Sequence, residues 1–392
     1  TKEAVPSVFP LLASFFYDME AFHNIARRSP FGYPPLSLYH FIWESPIMDI
    51  KEVRANAKER MKGFCRVCPV CDGRACAGET PGMGGIGTGS AFKNNVASLA
   101  GVRLNMRLIH EVKKPVTETE VLGFRLRLPV LAAPIGGTSF NMGGALSEAE
   151  YARAIVSGCR EAGIVGCVGD GAPDELHEAG NAAITAEGGW GIPFIKPWEG
   201  EELERKMCRA AATGTRVLGM DIDAAGLIAL ARMGRPVSPK TCAELAAIVD
   251  RSHELGMKFV LKGIMTVEDA IAAERAGCDG IVVSNHGGRA LDHTPGTIEV
   301  LPAIAAQVKG RMAVLMDGGI RDGLDVLKAL AFGADAVLIG RPFCLAAVGG
   351  GSEGVKLTAD HLYNQLVRSM VLTGCPSVRE AGCHLVSTAP LA

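Results

Sequence analysis

The stretch that decides the fold is Gly280-Ile281-Val282-Val283-Ser284, a short apolar run that ends in a polar residue. Seven similar runs occur from residue 129 onwards, with helical segments between them. This alternation is typical of parallel βα units. Eight units predict an α/β protein with a (β/α)8 TIM barrel rather than an open sheet. The runs are 129–134, 164–168, 192–195, 217–221, 259–262, 280–284, 313–317 and 336–340.

Composition excludes several classes of protein. Hydrophobic residues make up 48% and charged residues 21% of the 392 residues, which is typical of a globular chain. The formal net charge is −2 without a basic run, so we expect no nucleic-acid partner. No apolar run is long enough to span a bilayer, and we expect neither a membrane span nor a signal peptide. Twelve cysteines suit a reducing compartment, which predicts a cytoplasmic protein.

The chain divides into three segments. Residues 1–47 hold 10 of the 22 aromatic residues and no clear period, so they are either an extension that packs against something or not part of the functional protein; we favour the second. Residues 48–116 hold a predicted amphipathic helix and a Cys- and Gly-rich extension to the barrel. Residues 117–392 hold the barrel itself. Helices are predicted at 50–61, 147–162, 201–212, 242–255, 267–276, 323–332 and 361–373.

Polar residues close five of the eight runs. The carboxyl ends of barrel strands meet at one mouth, which is where active sites of such barrels lie. A single polar residue there is consistent with a cap on the next helix, but five at matching positions predict a site. They are Asp221, Lys262, Ser284-Asn285-His286, Asp317-Gly318-Gly319 and Gly340-Arg341.

Four motifs at these ends resemble those of the FMN-dependent α-hydroxy-acid oxidases and dehydrogenases, the family of glycolate oxidase, lactate oxidase and the flavin domain of flavocytochrome b2. The resemblance covers about residues 120–380 and is strongest over 258–345. It implies FMN-dependent oxidation of a small 2-hydroxy acid to the 2-oxo acid, and a homo-oligomer. The motifs are Lys262-Gly263-Ile264, Ser284-Asn285-His286-Gly287-Gly288-Arg289-Ala290-Leu291-Asp292, Asp317-Gly318-Gly319-Ile320-Arg321 and Ile339-Gly340-Arg341-Pro342.

The resemblance also implies roles for single residues. His286 would be the general base, with a hydride equivalent passing to flavin N5. Asp221 would orient His286, Arg289 would hold the substrate carboxylate, and Lys262 would stabilise negative charge at flavin N1 and the C2 carbonyl. The implied cofactor-binding residues are Ala133, Pro134, Ile135, Gly136, Lys196, Lys262, Ser284, Asp317, Gly318, Gly319, Arg321, Gly340 and Arg341, with the last five forming the phosphate site.

The substrate side departs from the family. Lys196 stands where the family has a glutamine, and Trp198 where it has an active-site tyrosine. We expect Trp198 to join His286 and Arg289 in the substrate pocket. The family's second carboxylate-binding arginine has no match, although Arg232 or Arg235 could reach in. Asp170 is expected either at the mouth or as a helix N-cap.

Four cysteines with short spacings, Cys65, Cys68, Cys71 and Cys76, do not belong to the family pattern. They suit a [4Fe–4S] cluster, a structural zinc ion or free thiols. A cluster would favour a dehydrogenase over an oxidase, so oxygen, a quinone and an electron-transfer protein are all open as acceptors. The glycine-rich segment 81–89 that follows has no preceding strand, which argues against a dinucleotide site and for a lid or plain packing.

Two other functions are compatible with a flavin-binding barrel. One is an FMN-dependent isomerase similar to the type 2 isopentenyl diphosphate isomerases, which lack the His-Gly-Gly-Arg segment. The other is a non-catalytic flavin or metal redox sensor that uses the four cysteines.

Overall fold

The computed structural model of the chain describes residues 48–226, 230 and 237–388. The predicted extension 1–47 and the candidates Arg232 and Arg235 lie outside the described residues. The strands are β1 (Val102–Leu104), β2 (Thr119–Val121), β3 (Phe124–Leu126), β4 (Val130–Ala132), β5 (Val165–Val168), β6 (Ile192–Ile195), β7 (Val217–Asp221), β8 (Lys258–Ile264), β9 (Gly280–Val283), β10 (Ala313–Met316), β11 (Ala336–Ile339) and β12 (Val386–Thr388).

The fold is a closed barrel of eight parallel strands, β4 to β11 in chain order, and the predicted (β/α)8 barrel is confirmed. Closure is made by β11 against β4, where Val337 pairs with Val130. The strands are short apolar runs because helices cover the outside of the barrel and side chains fill its inside. Each predicted run contains one strand, with ends that differ by at most two residues.

The helices of the described residues surround this barrel. Four of them were not predicted. Helix α3 has only four residues, and the other three carry weak helix signals: α2 is rich in asparagine and serine, α5 has Gly180 and Asn181 at its middle, and α9 contains Pro302. They are α1 (Ile50–Arg60), α2 (Ser90–Gly101), α3 (Thr138–Asn141), α4 (Glu148–Glu161), α5 (Asp174–Ala186), α6 (Gly200–Ala211), α7 (Cys242–Glu254), α8 (Val267–Arg275), α9 (Thr297–Val308), α10 (Gly323–Ala331) and α11 (Arg341–Thr373).

The last helix begins much earlier than the predicted residue 361. It starts directly after β11, at Arg341, and is interrupted at Gly351, whose φ of 59° is not helical. The predicted helix is therefore the second half of α11, and its first half places a helix N-terminus at the barrel mouth. None of the helices in the described ranges combines the length and hydropathy needed to cross a membrane.

The β2–β3 hairpin packs against the side chains inside the barrel. Its Phe124 belongs to the same buried cluster as the strand residues Phe194, Val260 and Leu315. Phe124 also meets Trp190 edge to face, with ring centres 5.4 Å apart. Because hairpin and barrel interior share one apolar core, the opposite, carboxyl end of the strands is left for polar chemistry.

The segment before the barrel packs on α11. Arg60 donates to the Val348 carbonyl (Nη1–O 2.7 Å) and Asn56 to the Gly349 carbonyl (Nδ2–O 3.2 Å), so α1 approaches the α11 backbone closely. A Cβ at Gly349 would lie 2.0 Å from the Val53 carbonyl oxygen. The absence of a side chain at Gly349 is thus a condition of this helix contact.

Gly349→Ala is expected to lower the free energy of unfolding by about 1–3 kcal/mol, the usual cost of an overpacked contact. The overlap is with backbone, which cannot rotate away. Gly101→Ala is the control, since a Cβ there meets nothing within 4 Å. That change should be neutral or stabilising by up to about 1 kcal/mol. Urea denaturation measures both, and equal losses would contradict this packing.

Candidate active site

A buried ion-pair network joins three neighbouring strands at the barrel mouth. The Lys196 ammonium lies 2.7 Å from Asp221 Oδ2, and the Lys262 ammonium lies 2.8 Å from Asp221 Oδ1. Lys262 is also 3.8 Å from Asp317 Oδ2 on the far side. All four side chains are buried. The structure therefore brings together three of the residues that the strand ends predicted, Asp221, Lys262 and Asp317, with Lys196, which the family resemblance implied.

The charges in this network hold each other in place. Burial alone would raise the pKa of Asp221, but the adjacent ammonium groups of Lys196 and Lys262 bring it well below the ordinary value. Burial would lower the pKa of Lys262, and the carboxylates of Asp221, Asp223 and Asp317 raise it above the ordinary lysine value instead. Burial raises the pKa of Asp317. The mouth thus holds two ammonium groups that are paired with carboxylates at neutral pH.

His286 pairs with Asp223, not with Asp221. Its Nδ1 lies 3.0 Å from Asp223 Oδ1, in the 3₁₀ turn that follows β7. The expectation that Asp221 orients His286 is therefore wrong. Asp221 lies at the end of β7 between Lys196 and Lys262. The carboxylate that meets the histidine is that of Asp223, two residues later in the chain. Burial works to raise the pKa of Asp223, and His286 and Lys262 lower it below the usual range. With Nδ1 in this pair, Nε2 is the ring nitrogen available to a substrate.

The turn that carries His286 has an unusual backbone. His286 has φ of 58°, and Gly287 and Gly288 have φ of 63° and 79°. A Cβ at Gly288 would lie 2.4 Å from the Phe92 nitrogen, so helix α2 presses directly on this turn. The left-handed backbone turns the histidine out of the strand direction and lets its ring meet Asp223.

Asn95, in α2, is a residue that the sequence did not reveal. Its amide group exchanges two hydrogen bonds with the Asn285 amide (2.8 Å and 3.1 Å) and accepts from the Thr297 N–H at 3.1 Å. It therefore fixes the residue before His286 to the start of α9. The only signal for it was an asparagine on the buried side of a helix whose period was weak.

Three arginines converge on the glycine-rich segment and on Phe92. Arg289 donates to the Gly82 and Gly84 carbonyls at 2.5 Å and 3.1 Å. The Arg341 guanidinium carbon lies 3.6 Å from the centre of the Phe92 ring, and that of Arg321 5.7 Å away. Among the described residues, none of these arginines has a carboxylate within 4.0 Å. Such a cluster of half-buried cations is suited to an anion.

Burial and neighbouring charge act on these arginines together. Burial lowers the pKa of Arg289, and burial with the charge of Arg321 lowers the pKa of Arg341 to about 9. An anion between Arg321 and Arg341 would relieve this repulsion. The first half of α11 begins at the same place, so its N-terminal N–H groups add to the positive potential.

The Gly318-Gly319 turn provides close backbone approach beside these arginines. Its φ values are 94° and 87°, and a Cβ on Gly319 would lie 2.4 Å from the Asn95 carbonyl oxygen. Side chains are excluded there, and backbone N–H groups remain. The turn, the start of α11 and the two arginines are a donor set that fits a phosphate group. The residues present therefore fit the phosphate end of FMN.

The remaining predicted flavin-side residues lie at the same mouth. Ser284 is buried, and its hydroxyl accepts from the His286 N–H at 3.1 Å. The segment Ala133–Gly136 follows β4 and is half-buried, as is Gly340 after β11.

Trp198 and Asp170 belong to a second buried network. The Trp198 indole N–H donates to Asp170 Oδ2 at 2.6 Å, and the Lys206 ammonium contacts Asp170 Oδ1 at 2.9 Å. Trp198 is 0% exposed, and its expected place in the substrate pocket stays a prediction. Asp170 is not a helix cap, because α5 is preceded by Pro173 without a side-chain cap. Lys206 is fully buried, and the Asp170 carboxylate provides the partner that its charge requires.

The four clustered cysteines line a single cavity together with Arg341 and Met83. All four are free and half-buried. Within the described residues, the only group of three or more potential metal ligands lying within 4.8 Å of one another is Asp221, Asp223 and His286. The cysteine sulfurs are therefore not gathered around a point as zinc would require.

The fold and this mouth define a flavin-binding oxidoreductase barrel, and comparison with known proteins agrees. The profile of the FMN-dependent dehydrogenase family matches residues 82–243 and 233–388. The chain therefore belongs to the FMN-dependent α-hydroxy-acid oxidases and dehydrogenases, and the predicted family and enzyme class are confirmed.

Curated relatives and solved structures support this membership over most of the chain. A 4-hydroxymandelate oxidase of Amycolatopsis orientalis is 35% identical over 76% of this chain and 90% of its own. An L-lactate oxidase of Lacticaseibacillus rhamnosus is 32% identical, over 78% and 88% respectively. A crystal structure of mandelate oxidase with 3,3-difluoro-2-hydroxy-3-phenylpropionic acid superposes with a TM-score of 0.66 at 30% identity, covering 87% of this chain and 98% of that one.

Asp170→Ala should lower the free energy of unfolding by about 3 kcal/mol, since it leaves the fully buried Lys206 without its main partner. Glu79→Ala breaks the exposed pair with Arg66 and should cost no more than about 1 kcal/mol. Chemical denaturation followed by circular dichroism measures both. A cost for Asp170→Ala as small as that of Glu79→Ala would contradict the buried network.

Proposed function

We propose that the chain uses FMN to oxidise a small 2-hydroxy acid to the corresponding 2-oxo acid. The observation that carries the proposal is the hydrogen-bonded pair of His286 and Asp223. His286 lies three residues before Arg289, which has no carboxylate partner among the described residues. A base and a carboxylate anchor on one turn suit a substrate with adjacent hydroxyl and carboxylate groups. The relatives named as 2-hydroxyacid, lactate and mandelate oxidases support the same substrate class.

The phosphate end of FMN would lie between the Gly318-Gly319 turn, the start of α11, Arg321 and Arg341. The fit described above supports this assignment: two mutually repelling guanidinium groups and a helix N-terminus meet where side chains are excluded. The flavin ring would then extend from this turn toward the segment Ala133–Gly136 and the buried network.

Bound FMN supplies the acceptor for the hydride equivalent that leaves the substrate α-carbon. Lys262 and Lys196 keep two ammonium groups at the mouth, both paired with Asp221, and Lys262 also lies near Asp317. These ammonium groups would stabilise negative charge that develops on the ring side of the mouth. A lysine at 196 instead of an amide strengthens this effect.

His286 would remove the substrate hydroxyl proton through Nε2. Its Nδ1 is engaged by Asp223, which fixes the ring orientation and stabilises the imidazolium that forms when the proton is taken up. The lowered pKa of Asp223 keeps its carboxylate ionised over the pH range in which the histidine would work. We therefore assign the orienting role to Asp223 and a charge-balancing role to Asp221.

Arg289 would hold the substrate carboxylate with its planar guanidinium group. Its hydrogen bonds are to the neutral carbonyls of Gly82 and Gly84 and to the Asn141 amide oxygen. A carboxylate is a stronger acceptor than any of these groups. Substrate binding would thus exchange neutral contacts for a charged one and draw the segment around Gly82 away from Arg289.

Other properties proposed from the sequence concern the protein's surroundings. All twelve cysteines are free, which supports a reducing compartment such as the cytoplasm. A homo-oligomer follows from the family resemblance alone and stays a prediction.

His286→Gln should slow flavin reduction about 10²–10⁴-fold while FMN stays bound, because the proton acceptor is lost. Asp223→Asn should also slow it, since the imidazolium loses its charge partner. Anaerobic stopped-flow mixing with a panel of 2-hydroxy acids measures flavin bleaching, and His384→Gln, an exposed histidine, is the control. A flavin that no 2-hydroxy acid bleaches in the unaltered protein would refute the function and favour an isomerase or a sensor.

Arg321→Met should weaken FMN binding by roughly one to two orders of magnitude, the value of a hydrogen bond to a charged group. Riboflavin has the same ring but no phosphate, so its affinity should not change. Titration of deflavinated protein with both ligands measures this difference. Arg311→Met removes an exposed arginine paired with Glu274 and should alter neither affinity. Equal weakening for FMN and riboflavin would contradict the phosphate assignment.

A further inference from the structure

We propose that Cys65, Cys68, Cys71 and Cys76 bind a four-iron iron–sulfur cluster beside the flavin site. All four residues line one cavity, with Arg341 on its wall. They come from a twelve-residue stretch of the chain that is not part of the barrel. Four thiols that face one space, in a chain whose cysteines are all free, are a ligand set rather than a disulfide framework.

The stretch that carries the cysteines is held in shape by two half-buried arginines. Arg54 donates to the Cys68 carbonyl at 2.7 Å, and Arg321 donates to the Cys71 carbonyl at 3.0 Å. Directly before the first of these anchors, Val67 has the left-handed φ of 47°. Strained backbone of this kind persists only where the surroundings enforce it, and it is common at ligand sites.

The spacing of the sulfur atoms favours a cluster over a single ion. Zinc bound at 2.3 Å in a tetrahedron keeps its sulfur ligands about 3.8 Å apart. No three of the four cysteine sulfurs lie within 4.8 Å of one another. A cubane with one cysteine on each of four irons spreads its ligands more widely, which this arrangement suits.

The groups around the cavity can balance the negative charge of such a cluster. Arg321 Nη2 lies 3.6 Å from the Cys71 sulfur, and the Val67 N–H points to the Cys65 sulfur at 3.4 Å. Arg341 is half-buried on the cavity wall, without a carboxylate partner among the described residues. N–H donors and cations near thiolates are the contacts that tune iron–sulfur centres.

The cavity adjoins the catalytic turn. Arg341, which lines the cavity, donates to the carbonyl of Gly287, the residue after His286 (Nη1–O 3.2 Å). This inference rests on the proposed function, in which the oxidation of each 2-hydroxy acid releases two electrons and two protons. The cluster would pass those electrons singly to two equivalents of an external one-electron acceptor, such as an electron-transfer protein, and the two protons would be released to solvent.

The test begins with the unaltered full chain, purified without oxygen. Iron, acid-labile sulfide, zinc and FMN are measured per chain, and electron paramagnetic resonance is recorded after dithionite reduction. We expect about four iron and four sulfide per chain and a signal from a reduced cluster. A protein that holds FMN but no iron, or one zinc without sulfide, would overturn the proposal.

Variants then locate the iron. Cys68→Ser and Cys71→Ser should each lose most of the iron and keep FMN, which reports that the barrel has folded. Cys383→Ser removes an exposed cysteine elsewhere and should keep both. Iron lost equally from Cys383→Ser, or fully retained in the other two, would overturn the assignment.

The same samples separate this proposal from the proposed function. Anaerobic 2-hydroxy acid should still bleach the flavin of Cys68→Ser, whereas reduction of a one-electron acceptor protein should fall at least tenfold. Bleaching without any iron in the unaltered chain refutes the cluster alone. Iron with a flavin that no 2-hydroxy acid bleaches refutes the proposed function and leaves the metal site supported.

Discussion

The candidate active site at the barrel mouth depends on the pairing of buried charges between adjacent strands. Lys196, Asp221 and Lys262 follow one another around the barrel, and the two ammonium groups share one carboxylate. A charge that is buried without a partner costs several kcal/mol, so each of these residues constrains its neighbours. The network fixes the ends of β6, β7 and β8 relative to one another and keeps two ammonium groups where a reduced cofactor would carry negative charge.

The barrel alone does not complete this mouth. Helix α2 brings Phe92 against the Arg341 guanidinium and Asn95 against Asn285. The glycine-rich segment before it accepts the hydrogen bonds of Arg289. The part of the chain that precedes the barrel therefore belongs to the site, and the alternation of strands and helices alone gives no indication of it.

The sequence was sufficient for the barrel because strands buried on both faces must be apolar and their ends must be polar. The same reasoning located Lys262, His286 and Asp317 at one mouth. It failed within the short turn after β7, where the two candidate carboxylates are only two positions apart in the chain. It predicted that Asp221 meets the histidine, and the structure shows Asp223. It also gave no indication that the buried Asp170 binds the Trp198 indole, because a one-dimensional pattern does not reveal such a contact.

The backbone of His286 has a consequence for the evolution of stability in this enzyme. A left-handed φ of 58° on a residue with a Cβ costs on the order of 1 kcal/mol relative to glycine. The next two residues, Gly287 and Gly288, are already glycines, so the turn would form more easily with a glycine at position 286 as well. A sequence selected for thermal robustness alone would drift toward glycine at 286. The histidine marks a trade-off in which the protein gives up some folding stability to aim an imidazole at the mouth.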